Sequence, residues 1–424
     1  MIDKHGVYTL HSYAGFALAN LAYVCNTVQS GTPRTFMLTD SPRLPPVVKV
    51  GRDEIGQRTI RRSDLVAAEN AFIDCRTPGS ERKLNYAIIG SGVSETEQFI
   101  NLEIPHGFQL GGASMPPGVN NSLHMHFTAE VFIVVAGQYE FRWGREQIEG
   151  EYVGGPGDII SVPTWVFRGF TNVGGDGDNF IFTILGQDHT GGLIWEPNVL
   201  RQADGHGLHL TVGNQLIDTV AGDLLTDDTE LVTPMTSAQV SAMRAVTSDE
   251  MRRRVTTNED RRFSDRALLC CVVPGGGARL ALVIGYGMTE DRSQEPRVFN
   301  PHGFNLAVLR ARRGEGMLLH RHQESQVLIV VSGEWEVTVN HDDPIGVRLG
   351  VHDTLSVPPG AWRSIVNASD DDDAEILVIN GGDGRTRLEW APEVVAAAKN
   401  RDLGVDANGY LAPWSLIQHS VPTV

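Results

Sequence analysis

The sequence predicts an all-β protein of two tandem jelly-roll β-barrels, with an N-terminal arm and a few short helices. Three observations predict it: a long internal repeat, strand-type alternation inside each repeat, and Pro/Gly turn signals that cut the chain into short strands. Pro105-His106-Gly107-Phe108 recurs as Pro301-His302-Gly303-Phe304, and His124-Met125-His126 as His320-Arg321-His322, each displaced by 196 positions (320 − 124). Cys75 with Pro78-Gly79 matches Cys271 with Pro274-Gly275 at the same spacing, and Trp195 with Pro197 matches Trp390 with Pro392 at 195. Ordered matches along most of a unit mean a duplicated domain.

The elements then follow in chain order. Residues 1–60 have no counterpart and form the arm, packed on a barrel or on a partner subunit. Its apolar stretch Ala14 to Cys25 lacks the basic flank and cleavage site of a secretory leader and reads as a mature helix. The first unit spans 61–217. There Val131 to Val135 is too short for a typical helix and rich in β-branched residues; after Gly137, Tyr139, Phe141 and Trp143 alternate with polar neighbours. That is two strands around a bend. Pro116-Pro117-Gly118 and Gly154-Gly155-Pro156-Gly157 mark turns, as expected of a sandwich or jelly roll. A short helix is expected at Asn198 to Ala203. Residues 218–256 form a linker with a helix from about Ser237 to Arg254, capped by Thr236 or Ser237. The second unit, 257–412, repeats the pattern with Val327 to Val331, Gly333, then Trp335, Val337 and Val339, and a helix at Glu393 to Lys399. Residues 413–424 are a C-terminal tail.

Composition narrows the function. A net charge of −17 over 424 residues repels phosphate backbones and anionic lipid, which excludes nucleic-acid or membrane-surface binding without a basic patch. Arg252, Arg253, Arg254, Arg261 and Arg262 cluster, but Glu250, Glu259 and Asp260 lie among them, so they read as a solvated helix face. No apolar run reaches the roughly 18 residues that span a bilayer. Cys25, Cys75, Cys270 and Cys271 lack the spacing of a disulfide framework or a zinc ribbon. The expectation is a soluble cytoplasmic protein acting on a small molecule.

The chemistry centres on His124, His126 and Glu130. Histidines at i and i+2 of a strand point to one face, so both imidazoles enter the barrel and can grip one ion, with Glu130 adding an anionic oxygen from the next stretch of the same sheet. Two nitrogens and one carboxylate are the ligand set of non-haem Fe(II), which is the favoured ion; zinc, manganese or nickel also suit it. With Gly118 and Gly137, these residues fit the first motif of the cupin superfamily, which the chain resembles at every spacing of that motif.

The resemblance also marks departures. In the second cupin motif Gly157, Pro163 and Asn172 fit, but Trp165 replaces a glycine and Arg168 the histidine that supplies the family's last metal ligand. In the second unit Gly314, His320, His322 and Gly333 fit the first motif, with Gln326 in place of the glutamate. In its second motif His352 stands at the first glycine, Pro358, Gly360 and Asn367 fit, and Arg363 stands at the histidine. Arginine stays protonated and cannot replace a metal-bound imidazole. A three-ligand site is therefore expected in the first barrel, and a weak or vestigial one at His320, His322 and Gln326. Arg168 is expected either to orient an anionic substrate toward the ion or to point outward into a surface ion pair. His106 and its repeat His302 read as turn residues, with a supporting or general-base role as the sharper alternative.

The resemblance implies a homo-oligomeric bicupin enzyme distantly similar to the gentisate dioxygenases: a non-haem Fe(II) dioxygenase acting on a small carboxylate-bearing aromatic or keto acid. Those enzymes use three histidines, so gentisate itself is not expected. The alternatives are a redox-neutral lyase, decarboxylase or isomerase, and a non-catalytic bicupin that holds an anionic ligand.

Overall fold

The computed structural model describes residues 46–145, 149–174, 177–370 and 373–419. The expected helix at Ala14 to Cys25, and Cys25 itself, lie outside the described residues. In the first repeat the strands are β1 (Leu84–Ile89), β2 (Phe108–Ser114), β3 (Asn120–His126), β4 (Glu130–Ala136) and β5 (Tyr139–Trp143). They continue as β6 (Gly150–Gly154), β7 (Ile159–Val162), β8 (Arg168–Asn172), β9 (Phe180–Gly186) and β10 (Leu193–Trp195). The second repeat follows with β11 (Arg279–Ile284), β12 (Phe304–Ala311), β13 (Gly316–Arg321), β14 (Gln326–Val330) and β15 (Trp335–Val339). Its remaining strands are β16 (Ile345–Leu349), β17 (Thr354–Val357), β18 (Arg363–Asn367), β19 (Ala374–Gly381) and β20 (Glu389–Trp390).

Each repeat forms two sheets. The outer sheet runs β10-β3-β8-β5-β6 in the first barrel and β20-β13-β18-β15-β16 in the second; the inner runs β7-β4-β9-β2-β1 and β17-β14-β19-β12-β11. The strand orders are identical once ten is added to each label. Sequence pattern explains which sheet is which. On β4, Phe132 and Val134 enter the first barrel's core, while Val131 and Ile133 join a cluster that also holds Phe304, Leu306, Val327 and Ile329 of the second. A strand covered on both faces reads as an unbroken apolar run, which Val131 to Val135 is. On β5 only alternate residues, Tyr139, Phe141 and Trp143, are buried, so the outer sheet turns one face to solvent. The bend expected after β4 is present, but β4 and β5 do not pair: at Gly137, with φ 87°, the chain passes from the inner to the outer sheet.

The two barrels exchange edge strands. Thr59–Ile60, ahead of the first repeat, pairs with β17 of the second barrel, and Val255–Thr256, ahead of the second repeat, pairs with β7 of the first. These dipeptides are themselves 196 residues apart (255 − 59). The described part of the arm thus packs on the second barrel, with Val50 and Ile55 buried in its core.

The linker differs from expectation. In place of one helix there are two, Ser237–Ser241 and Ser248–Arg252, capped by Thr236 and Thr247. Val246 causes the break: it is buried against the first barrel, and its carbonyl accepts a hydrogen bond from Trp143 Nε1 at 3.0 Å. Arg254 and Arg261 are also not part of a solvated face. Arg254 donates to Ser161, and Arg261 bridges the Gly157 carbonyl in one barrel and Glu375 in the other. The helices after each barrel occupy Pro197–Gly205 and Pro392–Lys399. Among the described residues no helix is long and apolar enough to cross a membrane.

Candidate metal centre

His124 and His126 leave β3 on the same side, with ring centroids 4.9 Å apart, and both are buried. The chain then turns from outer to inner sheet, so Glu130, first residue of β4, faces them from across the barrel and not from the same sheet. One ligand atom from each of the three lies within 4.8 Å of the others. Donors about 2.0–2.2 Å from an ion stand roughly 3–4 Å apart around it, so small side-chain shifts close the set.

Protonation suits coordination. His124 Nδ1 donates to the Ser122 carbonyl at 2.8 Å, which leaves the Nε2 lone pair free. Burial drives its pKa down to about 3, and burial likewise lowers that of His126. Burial alone pushes the Glu130 carboxyl up, but adjacent His126 and Arg168 outweigh it and hold it at about 2. With His126 neutral near pH 7, the guanidinium is the charge that keeps this carboxylate ionised. Both ring nitrogens of His126 and Oε2 of Glu130 lack well-aligned hydrogen bonds, as atoms awaiting a ligand do.

Arg168 is the main departure from expectation. It is buried, not turned outward, and its Nε stands 3.3 Å from Glu130 Oε2, while Nη2 donates to the Pro163 carbonyl at 3.2 Å. The anion that balances it is thus a protein carboxylate. Strand alternation aims it inward: on β8 Arg168, Phe170 and Asn172 share the buried face, with Arg168 opposite Trp143 of β5. Gly169 permits the close approach of β3, since a Cβ there would lie 2.6 Å from the Asn121 carbonyl oxygen. Trp165, in the glycine position of the motif, keeps a glycine's backbone at φ 61°, and its exposed ring packs edge-on against Phe127 at 5.2 Å.

A cavity of ≈ 70 Å³ opens beside the triad, room for roughly five waters. Asn85, Gln109, Asn121 and Thr183 line it with neutral polar groups, and Arg168 is not in its wall. Tyr86 contributes to the wall, but its ring packs against Phe180 at 5.4 Å. His106 is elsewhere. Its Nδ1 contacts the Ile104 carbonyl at 2.5 Å and its Nε2 meets Ser356 Oγ of the second barrel at 2.7 Å, so it ties the barrels together and has no place at the cavity. His302 repeats this contact with Ser161 Oγ of the first barrel, also at 2.7 Å.

Residues missed by sequence reasoning stand behind the ligands. Trp195 lies 5.3 Å from the His124 ring, and its Nε1 donates to Glu95 at 2.5 Å. Trp390, His320 and Glu290 repeat the arrangement, with ring centroids 5.4 Å apart and a 2.9 Å hydrogen bond. Glu95 and Glu290 are 195 residues apart, so the repeat itself carried this signal. Lys83, also buried, bonds Asp74 and Asn121 at 2.6 Å each and fixes the start of β3.

In the second barrel His320 and His322 are fully buried, and the Gln326 amide nitrogen contacts His322 Nε2 at 3.1 Å and Asn380 Oδ1 at 3.0 Å. No carboxylate takes the place of Glu130 there.

The Cupin domain family matches residues 113–183 and 308–380. No curated protein matches the chain. Among solved structures, the chain is similar to the oxalate decarboxylase of Lactobacillus farciminis in its formate complex, at 14% identity and a TM-score of 0.48 over 83% of this chain and 92% of that one. The Bacillus subtilis oxalate decarboxylase at pH 4.6 gives 13% identity and a TM-score of 0.48 over 87% and 83%. Tomato vicilin (Solanum lycopersicum) gives 11% and 0.47 over 79% and 87%. The cupin domain is thus matched once in each of two barrels of the same strand order, so the chain carries two cupin domains in tandem.

Proposed function

We propose that this bicupin is a metal-dependent enzyme whose first barrel binds one divalent ion through His124, His126 and Glu130 and acts on a small anionic substrate. The convergence of those three donors at the wall of a buried cavity carries the reading. When bound, the ion supplies Lewis acidity and, as iron, one-electron chemistry toward dioxygen.

Charge supports an anionic substrate. Glu130 and Arg168 cancel, and both histidines are neutral, so a divalent ion leaves about two positive charges in a site lined by neutral groups. A carboxylate entering the cavity offsets them, with the unpaired amide nitrogen of Asn85 available to orient it. The volume favours a keto acid of a few carbons over a bulky aromatic.

Dioxygenation is the favoured chemistry because two histidines and one carboxylate are the ligand set of non-haem Fe(II) oxygenases. Arg168 acts through Glu130, as a positioning residue. The test is oxygen uptake by iron-loaded protein against a panel of small keto acids and catechols, with carbon dioxide release followed in parallel. Substrate-dependent uptake is expected; product formation without uptake overturns dioxygenation in favour of redox-neutral chemistry.

A further inference from the structure

We propose that the second barrel is an anion site, binding a small hydroxycarboxylate where the first barrel holds the Glu130 carboxylate. The duplication provides the comparison. Arg363 is anchored as Arg168 is, with Nη2 donating to the Pro358 carbonyl at 2.8 Å, and it is wholly buried. In the first barrel the guanidinium Nε faces Glu130 Oε2 at 3.3 Å. In the second, Gln326 holds that position and no acidic side chain among the described residues pairs with Arg363; its Nε and Nη1 have no hydrogen-bond partner, as those of Arg168 have none beyond the Glu130 contact. Glu324, whose field reaches Arg363, sits instead against His322 Nδ1 at 3.2 Å. A buried guanidinium without a paired anion is among the most costly arrangements a core can hold. One monoanion removes that cost.

The unpaired atoms define the anion's chemistry. Besides the two donors of Arg363 there are two acceptors. His320 Nδ1 donates to the Leu318 carbonyl at 2.7 Å, leaving Nε2 as an unpaired lone pair, and Gln326 Oε1 is unpaired because the amide nitrogen is committed to His322 and Asn380. A ligand that meets both kinds of group carries an anionic oxygen for Arg363 and a hydroxyl that donates its one proton to His320 Nε2 or Gln326 Oε1. Glycolate has both groups, and acetate lacks the second. A site built to accept a hydroxyl rejects an analogue without one. Nothing in this proposal depends on the first barrel holding a metal.

The experiment is calorimetric titration of the full chain with glycolate and with acetate, in EDTA, for wild type, Arg363→Gln, Gln326→Glu and His126→Ala, each checked for folding by circular dichroism. Expected is one glycolate per chain, acetate weaker by at least about 10-fold, and binding abolished in Arg363→Gln. Gln326→Glu, which supplies an internal carboxylate as in the first barrel, is expected to abolish it too, whereas His126→Ala leaves it intact. Absence of glycolate binding to wild type, or binding lost in His126→Ala but kept in Arg363→Gln, overturns the proposal.

Discussion

Arg168 Nε stands 3.3 Å from Glu130 Oε2, with both side chains out of solvent. The guanidinium is the counter-charge for a carboxylate that an ion would otherwise neutralise. Arg168→Met is therefore expected to destabilise the metal-free protein by about 3–5 kcal/mol, the range for breaking one half of a buried pair. With a saturating divalent ion the loss shrinks, since the ion takes over the charge. Urea unfolding in EDTA and in excess metal measures both; equal losses refute the coupling.

Glu130→Gln reproduces in the first barrel the composition of the second. Metal content, measured on purified protein, is expected to fall from near one ion per chain to a small fraction, with affinity reduced beyond the roughly 10–100-fold typical of outer partners. Retention of a full equivalent in this variant disproves the ligand assignment.

His106→Ala and His302→Ala each remove a buried bond between barrels and leave a serine O–H without its acceptor, while Arg58 and Arg254 still donate to the two serine oxygens. Each is expected to cost about 1–3 kcal/mol with metal content unchanged. A change in metal stoichiometry instead of stability gives His106 back the role at the site that sequence allowed.

Stability is expected to peak near pH 6.5. Burial lowers His124 and His320 to about 3 and His302 to about 4. Between those values and 6.5 the unfolded chain binds more protons, so stability falls as pH drops. Burial raises Glu95 to about 8 and Glu290 to about 7. These carboxyls favour the folded state fully below about 4.5, and the benefit drains away as pH rises toward 8, at about 1.4 kcal/mol per pH unit for each. Thermal melts of Glu95→Gln/Glu290→Gln are expected to show a flatter profile from pH 6.5 to 8; an unchanged slope rejects the assignment.

The duplication and the β architecture were legible because burial on one or both faces writes itself into alternation, as on β5 and β4. The triad was legible because its spacing is local: nine residues run from Ser122 to Glu130. Arg168 was ambiguous because its counter-charge, Glu130, stands on the other sheet, a pairing that no local pattern records. His106 misled for a similar reason. Its partner, Ser356, is 250 residues away, and only the contact between barrels brings them together. The linker helix failed at Val246, where tertiary burial against Trp143 overrode a locally helical composition.

The crossed edge strands carry a further meaning. Thr59–Ile60 and Val255–Thr256 are the same dipeptide position of two copies, each laid on the other copy's sheet. A lone ancestral unit with this geometry would have been an interlocked two-fold homodimer, its assembly governed by protein concentration. Joining the copies head to tail makes that encounter intramolecular, so dilution no longer dissociates the pair, and one half is released to change its residues while the other keeps the His124, His126 and Glu130 cluster.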